Sequence, residues 1–459
     1  MSPDKRCDTL IPVSFAPPHP PRPAGPVPVW RGFVGERART AVYGWSERAF
    51  TEPSIRRRVF GHNVHIPLTP DAVGRVLLDN AGNYQKPGLV KTLLKPTIGR
   101  GLLSSDGTLW REQRRIVAAN FAPAAIDALV PVFADAARRA MRDWSDGEDM
   151  AAQATRTTMR IIADALFAGD PRLTTKAAMD HIAAALDGVS EARLQVLLGL
   201  PRMPWSLRGR RARRGQIYLR ETLAQVVRDR LPGGGPDDFL GRLIRALNAR
   251  FDDAEALALA VDNAATFYLA GHETTANAIT WTLFLLAEQP ALQAQAAAEA
   301  EAALAAGEAD SGLPERLPLL HRILEESMRL YPPVPRFDRE AVADDVLGGE
   351  PVGAGDIVSI WPWLLHRHHG LWSDPDTFDA DRWHPEAKAR RHRFQYLPFG
   401  GGPRLCVGAR FANVEALTVL AYWLRAWAFA PAPGRSVRVS GMVTLRPSGG
   451  LPLGLSKRN

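Results

Sequence analysis

Phe399-Gly400-Gly401-Gly402-Pro403-Arg404-Leu405-Cys406-Val407-Gly408 decides how this 459-residue chain is read. Three consecutive glycines reach backbone conformations closed to other residues and let the chain approach a flat ligand closely. A helix-like run to about Arg425 follows. Cys406 therefore sits at the start of a helix, where amides and dipole favour thiolate over thiol. A thiolate beside Arg404, with no Cys or His companion nearby, is a metal-binding arrangement with one protein ligand. The other ligands then belong to a cofactor.

Haem supplies four nitrogens and takes a single soft axial ligand of this kind. Composition agrees. Cys7 and Cys406 are the two cysteines, which excludes a disulfide framework and a Cys-rich zinc or iron–sulfur site. Lys+Arg 57 against Asp+Glu 49 leaves +8. Fifty of those cations are arginine in an Ala-rich chain, a bias that reflects base composition better than phosphate binding. The longest charge-free apolar stretch, Ala276 to Ala287, is too short to span a bilayer, and no signal segment opens the chain, so a cytoplasmic protein without a transmembrane anchor is expected. No P-loop and no GxGxxG occurs, so no nucleotide domain is fused.

Working outward, residues 12–28 carry eight prolines and read as an extended lead-in (1–28), ahead of one folded domain over 29–459. Residues 105–330 are dominantly helical by spacing. They include a Pro232–Pro236 loop and an Ala-rich helix after Pro290 with its glutamates in solvent. Residues 332–375 and those after Arg425 read as short strands and turns. The fold class is thus mainly α with a minor β part near both ends.

One helix is unusual. Asp252-Asp253-Ala254-Glu255 forms a capping box at its start and Pro290 stops it. Its middle, Ala270-Gly271-His272-Glu273-Thr274-Thr275, places glycine and threonine where a plain core helix uses Leu or Ala. Thr274 can bond back to the carbonyl of Ala270 and open the helix.

The cysteine segment matches FxxGxRxCxG at all its fixed positions, Phe399, Gly402, Arg404, Cys406 and Gly408, and so resembles the haem signature of the cytochrome P-450 superfamily. Other landmarks follow in the family's order and cover the chain from about Val29. Glu326-Ser-Met-Arg329 looks like its ExxR pair, to be joined by Arg382 in a structural triad. Trp110-Arg-Glu-Gln-Arg114 resembles its WxxxR propionate motif, with Arg339 and Arg404 as further anchors. The AGHETT segment looks like its oxygen-activation motif.

The resemblance implies a soluble, bacterial-type P-450 fold around haem b, with Cys406 as axial ligand. Thr274 and Glu273 would form a proton relay, and Ala270, Gly271, Phe399, Gly400 and Gly408 would adjoin the cofactor. Gly271 would leave room for dioxygen. The implied activity is insertion of one oxygen atom from O2 into an apolar substrate. Electrons would come from a ferredoxin or flavodoxin-type donor with its reductase, steered by Lys388, Arg390, Arg391 and Arg393. Substrate contacts would come from Val90, Leu93, Leu94, Ile98, Leu102, Phe267, Ala270, Val334, Phe337, Met442 and Val443. A second arginine run, Arg208 to Arg214, falls where the family has a mobile loop and reads as a solvated, helix-flanking face. A non-catalytic haem sensor, a nucleic-acid binder using the arginine runs, and oxidative coupling or desaturation are the alternatives. His366, His368 and His369 lack a partner at metal-ligand spacing.

Overall fold

The computed structural model describes residues 15–25, 27, 40–59, 61–175, 177–178, 180–181, 184–185, 207–231, 237–306 and 309–458. Cys7 and the Pro232–Pro236 loop lie outside them. The architecture rests on helices α1 (Gly88–Ile98), α2 (Gly107–Ala118), α3 (Val130–Ala140), α4 (Met150–Phe167), α5 (Leu207–Arg230), α6 (Phe239–Asn248), α7 (Asp253–Ala287), α8 (Pro290–Ala305), α9 (Pro318–Leu330) and α10 (Ala409–Ala426).

The long helix is α7, 35 residues and therefore ~52 Å at 1.5 Å per residue. Its start is capped as expected, because the Asp252 carboxylate accepts from the Glu255 amide at 2.9 Å. Helices α4, α5, α6, α9 and α10 pack around it, and nearly every residue from Leu259 to Leu269 is buried. Between α4 and α7 the approach is closest. A side chain on Gly271 would meet Ile162 Cδ1 at 2.5 Å, and the Thr158 hydroxyl donates to the His272 carbonyl at 2.9 Å.

Two expectations are corrected among the helices. Arg210, Arg211, Arg213 and Arg214 do not occupy a loop; they are exposed, as a solvated face, on the first turns of α5, with Ala212 and Gly215 on its buried side. Glu299 of α8 is not simply solvated. Its carboxylate accepts from the Leu319 and Leu320 amides, each at 2.8 Å, and so caps the orphan donors at the start of α9.

The β part is a mixed sheet of β1 (Ser54–Val59), β2 (His62–Pro67), β3 (Tyr84–Gln85), β4 (Phe337–Ala341) and β5 (Ile357–Ile360), ordered β1-β2-β5-β4-β3. Only β2 and β5 run parallel in it. After α10, β6 (Trp427–Pro431) pairs with β9 (Leu453–Lys457), and between them β7 (Val439–Ser440) pairs with β8 (Arg446–Pro447). The Pro-rich stretch from Phe15 is extended, as its prolines dictate, and it is docked on the body. The Phe378 amide donates to the Phe15 carbonyl at 2.9 Å, the Tyr331 hydroxyl donates to Pro18 at 2.7 Å, and Arg22 pairs with Asp376 at 2.6 Å. Among the described residues no single helix is long and apolar enough to cross a membrane.

Candidate active site

The loop before α10 is shaped by its glycines. Gly400 and Gly402 adopt φ +72° and +65°, and a Cβ on Gly402 would stand 1.7 Å from the Leu77 carbonyl oxygen. An L-residue there costs about 1–2 kcal/mol in backbone strain before that clash is counted. Gly402→Ala is therefore expected to lower the haem-to-protein ratio of the purified protein several-fold. A ratio equal to wild type would contradict this account of the loop. Within the loop the Cys406 amide donates to the Phe399 carbonyl at 2.9 Å, and the Leu405 amide to Gly402 at 3.0 Å. Gly408 is the N-cap residue of α10.

Cys406 has accessible surface even though protein surrounds it closely enough for burial to dominate its acidity. It therefore lines an interior hollow. Burial pushes its thiol up, against the downward pulls of the Gly408 amide and the Arg114 guanidinium. In the protein alone, desolvation thus opposes the pull of the helix end on this thiol. Arg114, half-buried on α2, is itself drawn down by burial and held up by Cys406.

Inside the core a second accessible patch lies on α7. Ala270 is exposed, and Gly271, Glu273 and Thr274 are half-exposed, amid a run otherwise buried from Leu259 to Ala287. The Thr274 hydroxyl donates to the Ala270 carbonyl at 2.9 Å, as expected, and the Thr275 hydroxyl to Gly271 at 3.2 Å. The missing side chain of Gly271 would point at Ile162, so glycine there also permits close packing of α4 on α7. Glu273 reaches the Thr444 hydroxyl at 2.7 Å, with Arg446 at 3.9 Å.

Cations crowd one side of the site. The Arg404 guanidinium stacks over Trp110 at 4.2 Å, donates to the Ser105 carbonyl at 3.1 Å and pairs with Asp106. Lys91 meets the same Asp106 at 2.8 Å. Arg339, 9 % exposed, is lowered to about 10 by burial and by Arg404. Lys86 is lowered to about 7, first by burial and then by Arg404 and Arg339. Asp106, with Asp338 tugging on Arg339, is little negative charge for Lys86, Lys91, Arg339 and Arg404. Such a cluster is short of anions, and two further carboxylates would balance it. Lys86 was not legible as a site residue, because a single lysine before Pro87 carries no spacing signal.

The structural triad assembles as expected. Arg329 donates to both Glu326 oxygens at 2.8 and 2.7 Å, with both side chains fully buried. It also donates to the carbonyls of His366, Pro375 and Thr377 at 2.8, 2.6 and 3.0 Å. Arg382 approaches Glu326 at 3.5 Å. Sequence reasoning missed Trp383, whose indole donates to Glu326 at 2.9 Å. His366 Nε2 accepts from the Leu397 amide at 2.8 Å, and burial, helped by Arg329, lowers it to about 3. This neutral histidine links the triad to the strand of chain entering the cysteine loop.

Among the expected substrate contacts, Val90, Leu93, Leu94, Val334, Phe337 and Met442 are half-buried and Val443 is exposed. Phe267 is corrected: its ring lies in a core cluster with Phe121 and Phe239 at 5.9 and 5.2 Å. Ile98 and Leu102 are also core, in a segment pinned to α7 by the Arg100 and Leu102 amides donating to Asp262 and Asn263 at 2.7 and 3.0 Å. Of the basic run before the cysteine loop, Lys388, Arg390 and Arg393 are exposed, Lys388 in a 2.6 Å pair with Glu325. Arg391 instead stacks on Trp383 at 4.1 Å and Trp372 at 4.6 Å, so it serves packing.

A lone thiol in a glycine loop, a tryptophan-stacked arginine and an anion-poor cation cluster fit haem: one axial sulfur, and charges for two propionates. A helical fold with this site defines a haem-thiolate enzyme. The comparisons agree. The family profile described as Cytochrome P450 matches residues 26–449. The cyclooctatin synthase of Streptomyces melanosporofaciens is 32% identical over 85% of this chain and 86% of its own. The cyclooctat-9-en-7-ol 5-monooxygenase of the same organism is 29% identical over 83% and 84%. Among solved structures, the cytochrome P450DA heme domain superposes with TM-score 0.81 at 25% identity, covering 96% of this chain and 98% of that one. The chain belongs to the cytochrome P450 family; it is a P450 monooxygenase whose cofactor is haem with a cysteine thiolate on the iron.

Proposed function

We propose that this chain inserts one oxygen atom from O2 into an apolar organic substrate in the cytoplasm, with Cys406 as the iron ligand and electrons from a separate ferredoxin or flavodoxin-type protein. Bound haem supplies the reductive activation of O2. The chain's own residues do the rest. Arg404 against Trp110, with Arg339, Arg114 and Lys86, holds the propionates. Thr274, bonded to the Ala270 carbonyl, keeps a hydroxyl on the accessible side of α7. Glu273 beside it carries protons inward. That acid–alcohol pair in the accessible middle of α7 is the observation that carries the reading.

The half-buried Val90, Leu94, Val334, Phe337 and Met442, with the exposed Val443, support an apolar substrate. So does the relative named for acting on cyclooctat-9-en-7-ol. Exposed Lys388, Arg390 and Arg393 support steering of an acidic electron donor.

Thr274→Ala tests the relay. Haem content and the ferrous–CO band are expected to stay unchanged, while product formed per electron pair falls about a hundredfold, the low end of the range for one positioned acid–base group. Unchanged coupling would contradict the oxygen-activating role and favour a haem protein that does not use this pair.

A further inference from the structure

We infer that Thr444, on the turn between β7 and β8, is a positioning residue for the proton-carrying acid Glu273. The inference rests on the oxygen-activation reading above and adds a residue to it. The Thr444 hydroxyl donates to Glu273 Oε1 at 2.7 Å, and the Arg446 guanidinium faces the same oxygen at 3.9 Å. Both contacts fall on Oε1. Glu273 retains 18 % side-chain exposure, so Oε2 is the oxygen that can take a proton from water and give it up toward the Thr274 side, returning to carboxylate.

The anchor itself is rigid. Thr444 is 8 % exposed, and its neighbour Leu445 is fixed at both backbone groups. The Leu445 amide donates to the Pro333 carbonyl at 3.0 Å, and its carbonyl accepts from the Trp281 indole at 3.1 Å. Trp281 lies on α7, two turns beyond Glu273, so the turn is clamped along the helix that carries the acid. Gly441, at φ +121°, closes the same turn; a Cβ there would stand 1.8 Å from the Thr444 carbonyl oxygen. A short hydroxyl on this clamp has a purpose that packing alone does not require. It selects one rotamer of the acid and leaves the other oxygen for transfer. Met442 and Val443 precede Thr444 directly, so a substrate touching them presses on the anchor of the acid.

The test compares Thr444→Val, which keeps the shape and loses the donor, with Thr444→Ser, which keeps the donor. O2 consumption is followed without added substrate, using a surrogate ferredoxin, its reductase and NADPH, in water and in deuterium oxide. Thr444→Val is expected to retain haem and the ferrous–CO band, to consume O2 about three- to tenfold more slowly, and to show a larger solvent isotope effect. Thr444→Ser is expected to restore both. A Val variant that matches wild type in rate and isotope effect, or a Ser variant as impaired as Val, would overturn the role of Thr444 alone. A wild-type protein that binds CO yet consumes no O2 would overturn the oxygen-activation reading and this inference with it.

Discussion

Arg329→Ala is expected to yield little or no folded haem protein, with a stability loss of about 3–5 kcal/mol, the range for removing one member of a buried ion pair. The reason lies in what arginine satisfies at that position. It neutralises Glu326, and it supplies the donors for three buried carbonyls, of His366, Pro375 and Thr377. Alanine would leave a buried carboxylate held only by the Trp383 indole, the Asp379 amide and the more distant Arg382. Those carbonyls belong to the segment that ends in the cysteine loop, so haem retention should fail together with folding. Arg329→Lys keeps the charge but not the planar fork, and should recover only part of the loss. Denaturant unfolding of the haem-free proteins measures this directly. An alanine variant within 1 kcal/mol of wild type would remove the triad from the account.

The sequence carried the chemistry better than the surroundings of that chemistry. Cys406, the Glu326–Arg329 pair and the Thr274 back-bond were legible because each depends on local spacing: a glycine loop, a helical i,i+3 pair and an i,i−4 bond. Lys86, Trp383 and Thr444 were not legible, because their partners lie far off in the chain and only the packed fold joins them. The packing constraint on Gly271 was hidden on the same ground, because it comes from Ile162, more than a hundred residues earlier. Phe267 read as a pocket residue from its place in the middle of the long helix, yet two other phenylalanines, Phe121 and Phe239, hold it in the core. Arg391 sat in a basic run that read as surface, and two tryptophans drew it inward. The parallel pairing of β2 with β5 joins residues near 64 with residues near 357, a register no local pattern encodes.

Electrostatics explain why the cofactor matters to the architecture. With Asp106 and Asp338 as the acidic groups facing them, the half-buried Lys86 and the buried Arg339 sit among an excess of like charges. Burial likewise holds the Cys406 thiol up. Two propionates and a metal ion relieve these costs together, so the protein should be markedly more stable with haem than without it.

The second large effect belongs to Cys406 and decides the central claim. Serine is close to cysteine in size but cannot provide a thiolate. Cys406→Ser should therefore keep the fold, weaken haem retention and abolish substrate oxygenation. The measurement is the ferrous–CO difference spectrum of the purified protein beside this variant. A strongly red-shifted Soret band in the wild type that is lost in Cys406→Ser is the expected result. The same band in both proteins, or a wild-type band typical of histidine-ligated haem, would contradict thiolate ligation by Cys406.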